Sequence, residues 1–71
     1  MQETMILGLR LTKEGVSTSL FEKRYGEPLM DVFGSQIDEL IKLGLIEWMG
    51  DSIVLSKRGR LLGNQVFIRF I

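Results

Sequence analysis

The sequence predicts a small α+β domain, and three local patterns lead to this prediction. Segment 33–41 carries apolar residues at helical spacing, namely Phe33, Ile37, Leu40 and Ile41. Two short apolar runs, at 45–49 and 52–55, flank Gly50-Asp51, a pair of residues that favours a two-residue hairpin turn. Ser56 follows as a candidate N-cap for another helix. This order is typical of a winged helix-turn-helix, with three helices, a short two-stranded hairpin and a C-terminal helix in one domain over residues 1–71.

The first predicted helix runs from Gln2 to Arg10, and a turn over residues 12–15 follows it. Its apolar residues lie almost all the way round the helix: Met5, Ile6, Leu7, Leu9 and the adjoining Leu11. Two interpretations remain open, because such a helix is either buried on two sides or packed against something outside this chain.

The second predicted helix opens at Val16-Ser17. Ser17 is a good N-cap, and Val16 and Phe21 have a spacing that fits a hydrophobic staple. We expect Leu20 and Phe21 to face the core and Gly26 to end the helix.

The third predicted helix begins near Pro28, which suits a first turn because its missing N–H costs nothing there. Gly34 weakens this helix by about 1 kcal/mol relative to alanine. We nevertheless expect one continuous helix, and a bend is possible at Gly34. Gly44 ends it, since glycine adopts the left-handed C-cap conformation without a Cβ penalty.

Beyond the hairpin, where Trp48 is expected to support the wing against the core, the last predicted helix runs from Lys57 to Ile71. It carries two neighbouring apolar stripes: Leu62, Val66 and Phe70, then Phe67 and Ile71. Together they are wider than one side of a small domain needs. The first and last helices are therefore either simply core or a docking surface for another domain or a second copy.

Composition excludes several classes of function. The chain has 71 residues, 9 basic and 9 acidic, with no Cys and no His. It therefore lacks disulfides, thiolate ligands, the usual general base and the commonest metal ligand. The charge balance lacks the basic excess that binding to nucleic acid through phosphates normally needs. No apolar run approaches the roughly 20 residues of a membrane span, and the N-terminus lacks the basic start of a secretory signal.

The outward face of the third helix disfavours DNA recognition. Its polar residues are Ser35, Gln36, Asp38, Glu39 and Lys42. Two acids thus oppose one base where a DNA-binding winged helix enters the major groove, and no Lys or Arg occurs from Leu43 to Ser56. Neighbouring carboxylates such as Asp38 and Glu39 point in different directions, so we interpret them as solvated surface rather than a catalytic pair or metal site.

The basic cluster Lys57, Arg58 and Arg60 has two interpretations. It can contact a small anion, or it can be a solvated first helical turn that is mildly unfavourable to the helix dipole. The residues alone favour the solvated turn.

Several stretches together resemble the C-terminal domain of the oxygen-independent coproporphyrinogen III oxidase-like radical-SAM family, which includes haem chaperones. They are ETMILGLRL at 3–11 with EGV at 14–16, FEKRYG at 21–26, LGLIE at 43–47 and LSKRGRLL at 55–62. The G-L-R-L with E-G-V is fairly specific, whereas the last two stretches are common in winged helices. The likeness covers nearly the whole chain and is closest to the branch with the haem chaperones.

The resemblance implies a larger parent protein in the cytoplasm, active in porphyrin and haem biosynthesis or in haem delivery. Such proteins hold a 4Fe-4S cluster and S-adenosylmethionine in an N-terminal barrel-like domain, on a C-x-x-x-C-x-x-C motif. This chain has no Cys, so no catalytic, cofactor-binding or metal residue is assigned to it. The expected role is that of a non-catalytic domain that packs on the parent's catalytic domain.

Within that reading, Arg10, Arg58 and Arg60 are predicted to contact the catalytic domain or a tetrapyrrole carboxylate. A planar guanidinium suits a carboxylate because it donates two parallel hydrogen bonds. Porphyrin or haem is accordingly a second expected partner, and nucleic acid is not. A winged-helix transcription regulator and a self-association module remain the alternatives.

Overall fold

The computed structural model describes residues 1–11 and 13–71 as five α-helices, a 3-10 turn and a small antiparallel sheet. The helices are α1 (Gln2–Leu11), α2 (Thr18–Tyr25), α3 (Leu29–Lys42), α4 (Lys57–Leu61) and α5 (Gly63–Phe67), and the 3-10 turn is Ile68–Phe70. The strands are β1 (Val16–Ser17), β2 (Ile46–Met49) and β3 (Ser52–Leu55). The predicted α+β class is confirmed. The predicted turn over residues 12–15 begins at Thr12, outside the described residues.

The sheet has one strand more than the sequence predicts. Its order is β1-β3-β2, and Ile53 in the central strand pairs with Val16 on one side and Trp48 on the other. Val16-Ser17 can serve both elements because an N-cap residue is itself extended, and Ser17 has φ −79° and ψ 130°. Its side chain accepts a hydrogen bond from the Leu20 N–H at 3.2 Å. The predicted cap is therefore correct, and it also ends a strand.

The bend expected in α3 lies at Phe33, one residue before Gly34, and two helical segments meet at this kink. Phe33 has φ −122° and ψ 16°, and its ring packs edge-to-face against Phe70 at a centroid distance of 5.4 Å. Pro28 occupies the N-cap rather than the first turn.

The end of α3 is a Schellman motif. Gly44 has φ 74°, its N–H bonds to the Ile41 carbonyl at 2.9 Å, and the Leu45 N–H bonds to the Leu40 carbonyl at 3.0 Å. Leu40 and Leu45 are both buried, which is the apolar contact that accompanies this motif. Directly after the end of α3, the chain therefore enters the core at Leu45, before β2 begins.

The prediction of a single helix from Lys57 to Ile71 is wrong. Ser56 does cap α4, accepting a hydrogen bond from the Gly59 N–H at 3.0 Å. The helix then breaks at Leu62, which has φ −115° and ψ 35°. Gly63, a poor helix former, follows the break. The change of direction coincides with burial of Val66 and Phe70 in the core.

The core combines side chains from every layer of the fold. Its buried members include Met5, Leu9, Val16, Phe21, Leu29, Phe33, Ile37, Leu40, Ile53, Val66 and Phe70. Two expected members are outside it. Leu20 is 67% exposed, since successive helical residues point roughly 100° apart and Phe21 takes the inward position. Trp48 is 44% exposed because it lies near the tip of the edge strand.

A carboxylate at the hairpin tip ties the hairpin to α2. Asp51 accepts hydrogen bonds from the hydroxyls of Ser17, Thr18 and Ser19 and, at 3.2 Å, from the Ser19 N–H. The Thr18 N–H also bonds to the Asp51 carbonyl at 3.0 Å. The Ser19 and Thr18 hydroxyls, followed by the Ser19 N–H, lower the pKa of Asp51 to about 2. The tip is thus held at the N-terminus of α2, where backbone N–H groups need acceptors.

Gly59 is expected to tolerate no side chain. A Cβ there would lie 1.9 Å from the Leu45 carbonyl oxygen, which is fixed by the backbone. We expect Gly59→Ala to lower the free energy of unfolding by about 1–3 kcal/mol or more, the usual range for overpacking. Urea denaturation followed by Trp48 fluorescence measures the change.

The matched control is Gly34→Ala, where a Cβ would meet only the Met30 Cε at 3.9 Å. This variant should leave stability unchanged or raise it by up to about 1 kcal/mol, since alanine is the better helix former. Equal denaturation midpoints for the two variants would contradict the close approach of α4 to Leu45.

Asp51 should make stability depend on pH in a defined window. Because its folded-state pKa, about 2, lies below the usual 3.8, the carboxylate contributes stability above about pH 4 and loses it as the pH falls towards about 2. The melting temperature of Asp51→Asn should therefore be lower than that of the wild type at pH 7, and the difference should shrink between about pH 4 and 2. Asp38→Asn, an exposed change on α3, is the control and should show no comparable shrinkage.

Candidate functional site

A basic pocket lies where the end of α1, residue 13, strand β3 and α4 meet. It has a volume of about 260 Å³ and is lined by Leu9, Arg10, Leu11, Lys13, Val54, Leu55 and Arg60. Arg10 and Arg60 were singled out from the sequence, and the fold brings these distant residues to one pocket. Arg58, the third, does not line it. Two of the three predicted arginines therefore line the pocket, and the third lies outside it.

Packing beneath the pocket positions its two arginines. In the last turn of α1, Leu9 is buried while Arg10 is exposed, so the helix anchors itself through one residue and presents the next. At α4, buried Gly59 lies against the Leu45 backbone, and exposed Arg60 follows it directly. Both guanidinium groups thus extend from backbone that the core holds in place.

The pocket carries positive charge that none of its described lining residues neutralises. No acidic side chain is among the described residues that line it. In residues 1–11 and 13–71 the one ion pair joins Arg69 to Glu39, away from the pocket. Arg10, Lys13 and Arg60 therefore have no carboxylate partner within the described chain. An apolar wall of Leu9, Val54 and Leu55 completes the site.

The sequence groups Lys57, Arg58 and Arg60 as one cluster, and the structure regroups them. Lys57 and Arg58 are exposed on α4 outside the pocket, whereas Arg60 shares it with Arg10 and Lys13. Lys13 was not singled out from the sequence. It lies three residues beyond Arg10 in the sequence, and only the tertiary fold places it beside Arg60 of α4.

The remaining polar candidates do not form a site. Among the described residues no group of three or more acidic side chains could hold a metal ion. Asp38 and Glu39 are exposed on α3, and Glu39 pairs with Arg69. Asp51 is engaged at the α2 N-terminus. The acidic α3 face and the tethered hairpin tip both disfavour contact with a phosphate backbone.

Exposed apolar side chains form the second notable feature, and the three most exposed of them lie on the first and last segments of the chain. Leu11 is 70% exposed, Leu61 81% and Ile71 84%, and Leu7 and Ile68 are also exposed. Met5, Leu9, Val66 and Phe70 from the same segments are buried in the core. The apolar surplus of these segments is therefore core at some positions and exposed surface at others. No helix in the described part of the chain is long and apolar enough to cross a membrane.

Comparison with known proteins gives a consistent result. A family profile described as the HemN C-terminal domain matches residues 1–62. The heme chaperone HemW of Bacillus subtilis (strain 168) is 41% identical over 70 residues, and that of Lactococcus lactis subsp. lactis (strain IL1403) is 37% identical over 70 residues. Each alignment covers 99% of this chain and 18% of the relative, so the chain spans less than a fifth of their length. No solved structure matches significantly.

Proposed function

The chain belongs to the HemN C-terminal domain family, and from this we propose that it serves as a non-catalytic accessory domain of a larger haem-chaperone-like protein. The predicted resemblance to the coproporphyrinogen III oxidase-like family is confirmed by the same matches. In the proposal the domain packs on the rest of that protein and covers part of it. The 18% share of the relatives' length supports the larger parent protein in this proposal.

The observation that carries the proposal is the apolar surface of the terminal helices, which we define as Leu7, Leu11, Leu61, Ile68 and Ile71. Single exposed apolar residues are normal in soluble proteins. Here they recur on elements whose inner sides already fill the core, and α1 packs directly against the 3-10 turn that holds Ile68. Exposed apolar patches of this kind mark contact sites.

In this proposal the chemistry belongs to the part of the protein outside this chain. That part would hold the 4Fe-4S cluster and S-adenosylmethionine on its own cysteines and would work in porphyrin or haem metabolism in the cytoplasm. This chain, without Cys or His, would supply surface and charge rather than ligands. Self-association through the same apolar surface is the competing function.

The first test is the size of the protein in its source cells. An antibody against this chain, applied to a denaturing gel, should detect a band several times larger than 8.1 kDa. A band at 8.1 kDa would contradict the accessory role. Sedimentation of the chain over a concentration series would then test self-association, which a monomer at high concentration would exclude.

The second test addresses the apolar surface in the full-length protein. Leu11→Ser with Leu61→Ser should loosen docking and speed limited proteolysis at the domain junction at least tenfold, since each buried leucine contributes about 1.5–3 kcal/mol. The same pair in the isolated chain should change its stability by no more than about 0.5 kcal/mol per site, as expected for exposed positions.

Met49→Ser is the matched control, because Met49 is an exposed apolar residue on the hairpin, away from the terminal helices. Its junction should be cleaved at the wild-type rate. Equal cleavage rates for the double leucine variant and the wild type would show that another surface makes the contact.

A further inference from the structure

We propose that the basic pocket of Arg10, Lys13 and Arg60 binds a carboxylate group borne on an apolar stem. Arg10 lies at the end of α1, Lys13 lies three residues beyond it in the sequence, and the tertiary fold brings Arg60 of α4 to both. Neither the family match nor the relatives' names assign a role to these residues. The site overlaps the apolar surface at one residue, Leu11, which belongs to both.

The case for an anion rests on charge. The chain has equal numbers of acidic and basic residues, so its own carboxylates could have neutralised this cluster, as Glu39 does for Arg69. No described lining residue does so. Like charges gathered in a concave site raise the local positive potential and attract an anion. A basic residue at the C-terminal end of a helix interacts favourably with the helix dipole, which accounts for Arg10 on α1. It does not account for the presence of Lys13 and Arg60 in the same pocket.

The case for a carboxylate rests on shape and on the walls. An arginine guanidinium matches a carboxylate with two parallel hydrogen bonds, and two arginines line the pocket. Leu9, Val54 and Leu55 offer apolar contact to the carbon chain of the ligand. The volume of about 260 Å³ falls below the roughly 300–1,000 Å³ typical of whole small-molecule sites. The pocket therefore suits one acidic arm rather than an entire large ring.

Two sources can supply such an arm, and the first rests on the proposed function. One is a propionate side chain of a tetrapyrrole. The other is an Asp or Glu side chain of the domain that this chain packs against. Both present a carboxylate on a short apolar stem, so the pocket chemistry is the same.

The pocket itself is tested by titrating the isolated chain with propionate at constant ionic strength and following backbone amides by NMR. Shifts should concentrate at residues 9–13 and 54–60, and the neutral propionamide should cause none. Arg60→Gln and Arg10→Gln should each weaken propionate binding at least tenfold. Arg60→Lys, which keeps the charge but loses the paired donors, should fall between Arg60→Gln and the wild type.

Arg58→Gln is the matched control, since Arg58 is an exposed arginine on the same helix outside the pocket. It should change the affinity less than twofold. Equal losses for Arg58→Gln and Arg60→Gln, diffuse shifts, or equal shifts with propionamide would overturn the proposal. Because Arg10 and Arg60 are both exposed, circular dichroism should show that every variant remains folded.

The source is identified in the full-length protein by comparing Arg60→Gln with Arg58→Gln. Reduced haem binding with unchanged proteolysis at the junction would identify a tetrapyrrole arm, and faster proteolysis would identify a protein carboxylate. No change in either readout would overturn a role for the pocket. A native band at 8.1 kDa would instead defeat the proposed function alone, leaving the propionate titration as an independent result.

Discussion

The junction between α3, the hairpin and α4 supports the rest of this structure, and one serine holds it together. The Ser56 hydroxyl donates to the Gly44 carbonyl at 2.6 Å and accepts from the Gly59 N–H at 3.0 Å. The Ser56 N–H bonds to the Leu45 carbonyl at 3.0 Å. Three elements are thereby fixed to one another within a few residues. This junction joins the end of β3 to α4, which carries Arg60 of the pocket.

The terminal helices carry both buried and exposed apolar residues. Their inward residues complete an aromatic core in which the Phe33 ring contacts both Phe21 and Phe70. Some of their outward residues are also apolar, among them Leu7, Leu11, Leu61 and Ile68. A domain of 71 residues buries a smaller fraction of its surface on folding than a larger domain does. Packing against a larger partner would add burial that the chain cannot provide for itself.

Features that depend on neighbouring residues were predictable from the sequence, and features that depend on the tertiary fold were not. The caps at Ser17 and Ser56, the stop at Gly44 and the turn at Gly50-Asp51 all follow from local backbone preferences. The sequence did not predict strand β1, because two residues are too few to show the alternation typical of a strand. They form a strand only because β3 pairs with them. The break at Leu62 and the exposure of Trp48 likewise depend on where the core ends.

The same distinction applies to the candidate site. Arg10 and Arg60 were chosen on the strength of the family resemblance, and no periodicity could place them in one pocket. Lys13 is three residues from Arg10 in the sequence, but only the fold places it near Arg60, and the predicted Arg58 lies outside the pocket. The acidic α3 face was predictable, because a helix shows its outward residues directly in its sequence.

The contact of Gly59 with the Leu45 backbone has a consequence for how this chain can change over time. Within L-S-K-R-G-R, Ser56 caps α4 and Gly59 lies against the Leu45 backbone, so both residues serve the fold. Arg60 has no such obligation, since it is exposed and nothing in the fold demands a guanidinium there. Substitution of Arg60 would therefore leave the fold intact. A sequence that kept the serine and the glycine but not the arginine would have retained the scaffold and given up the pocket's charge.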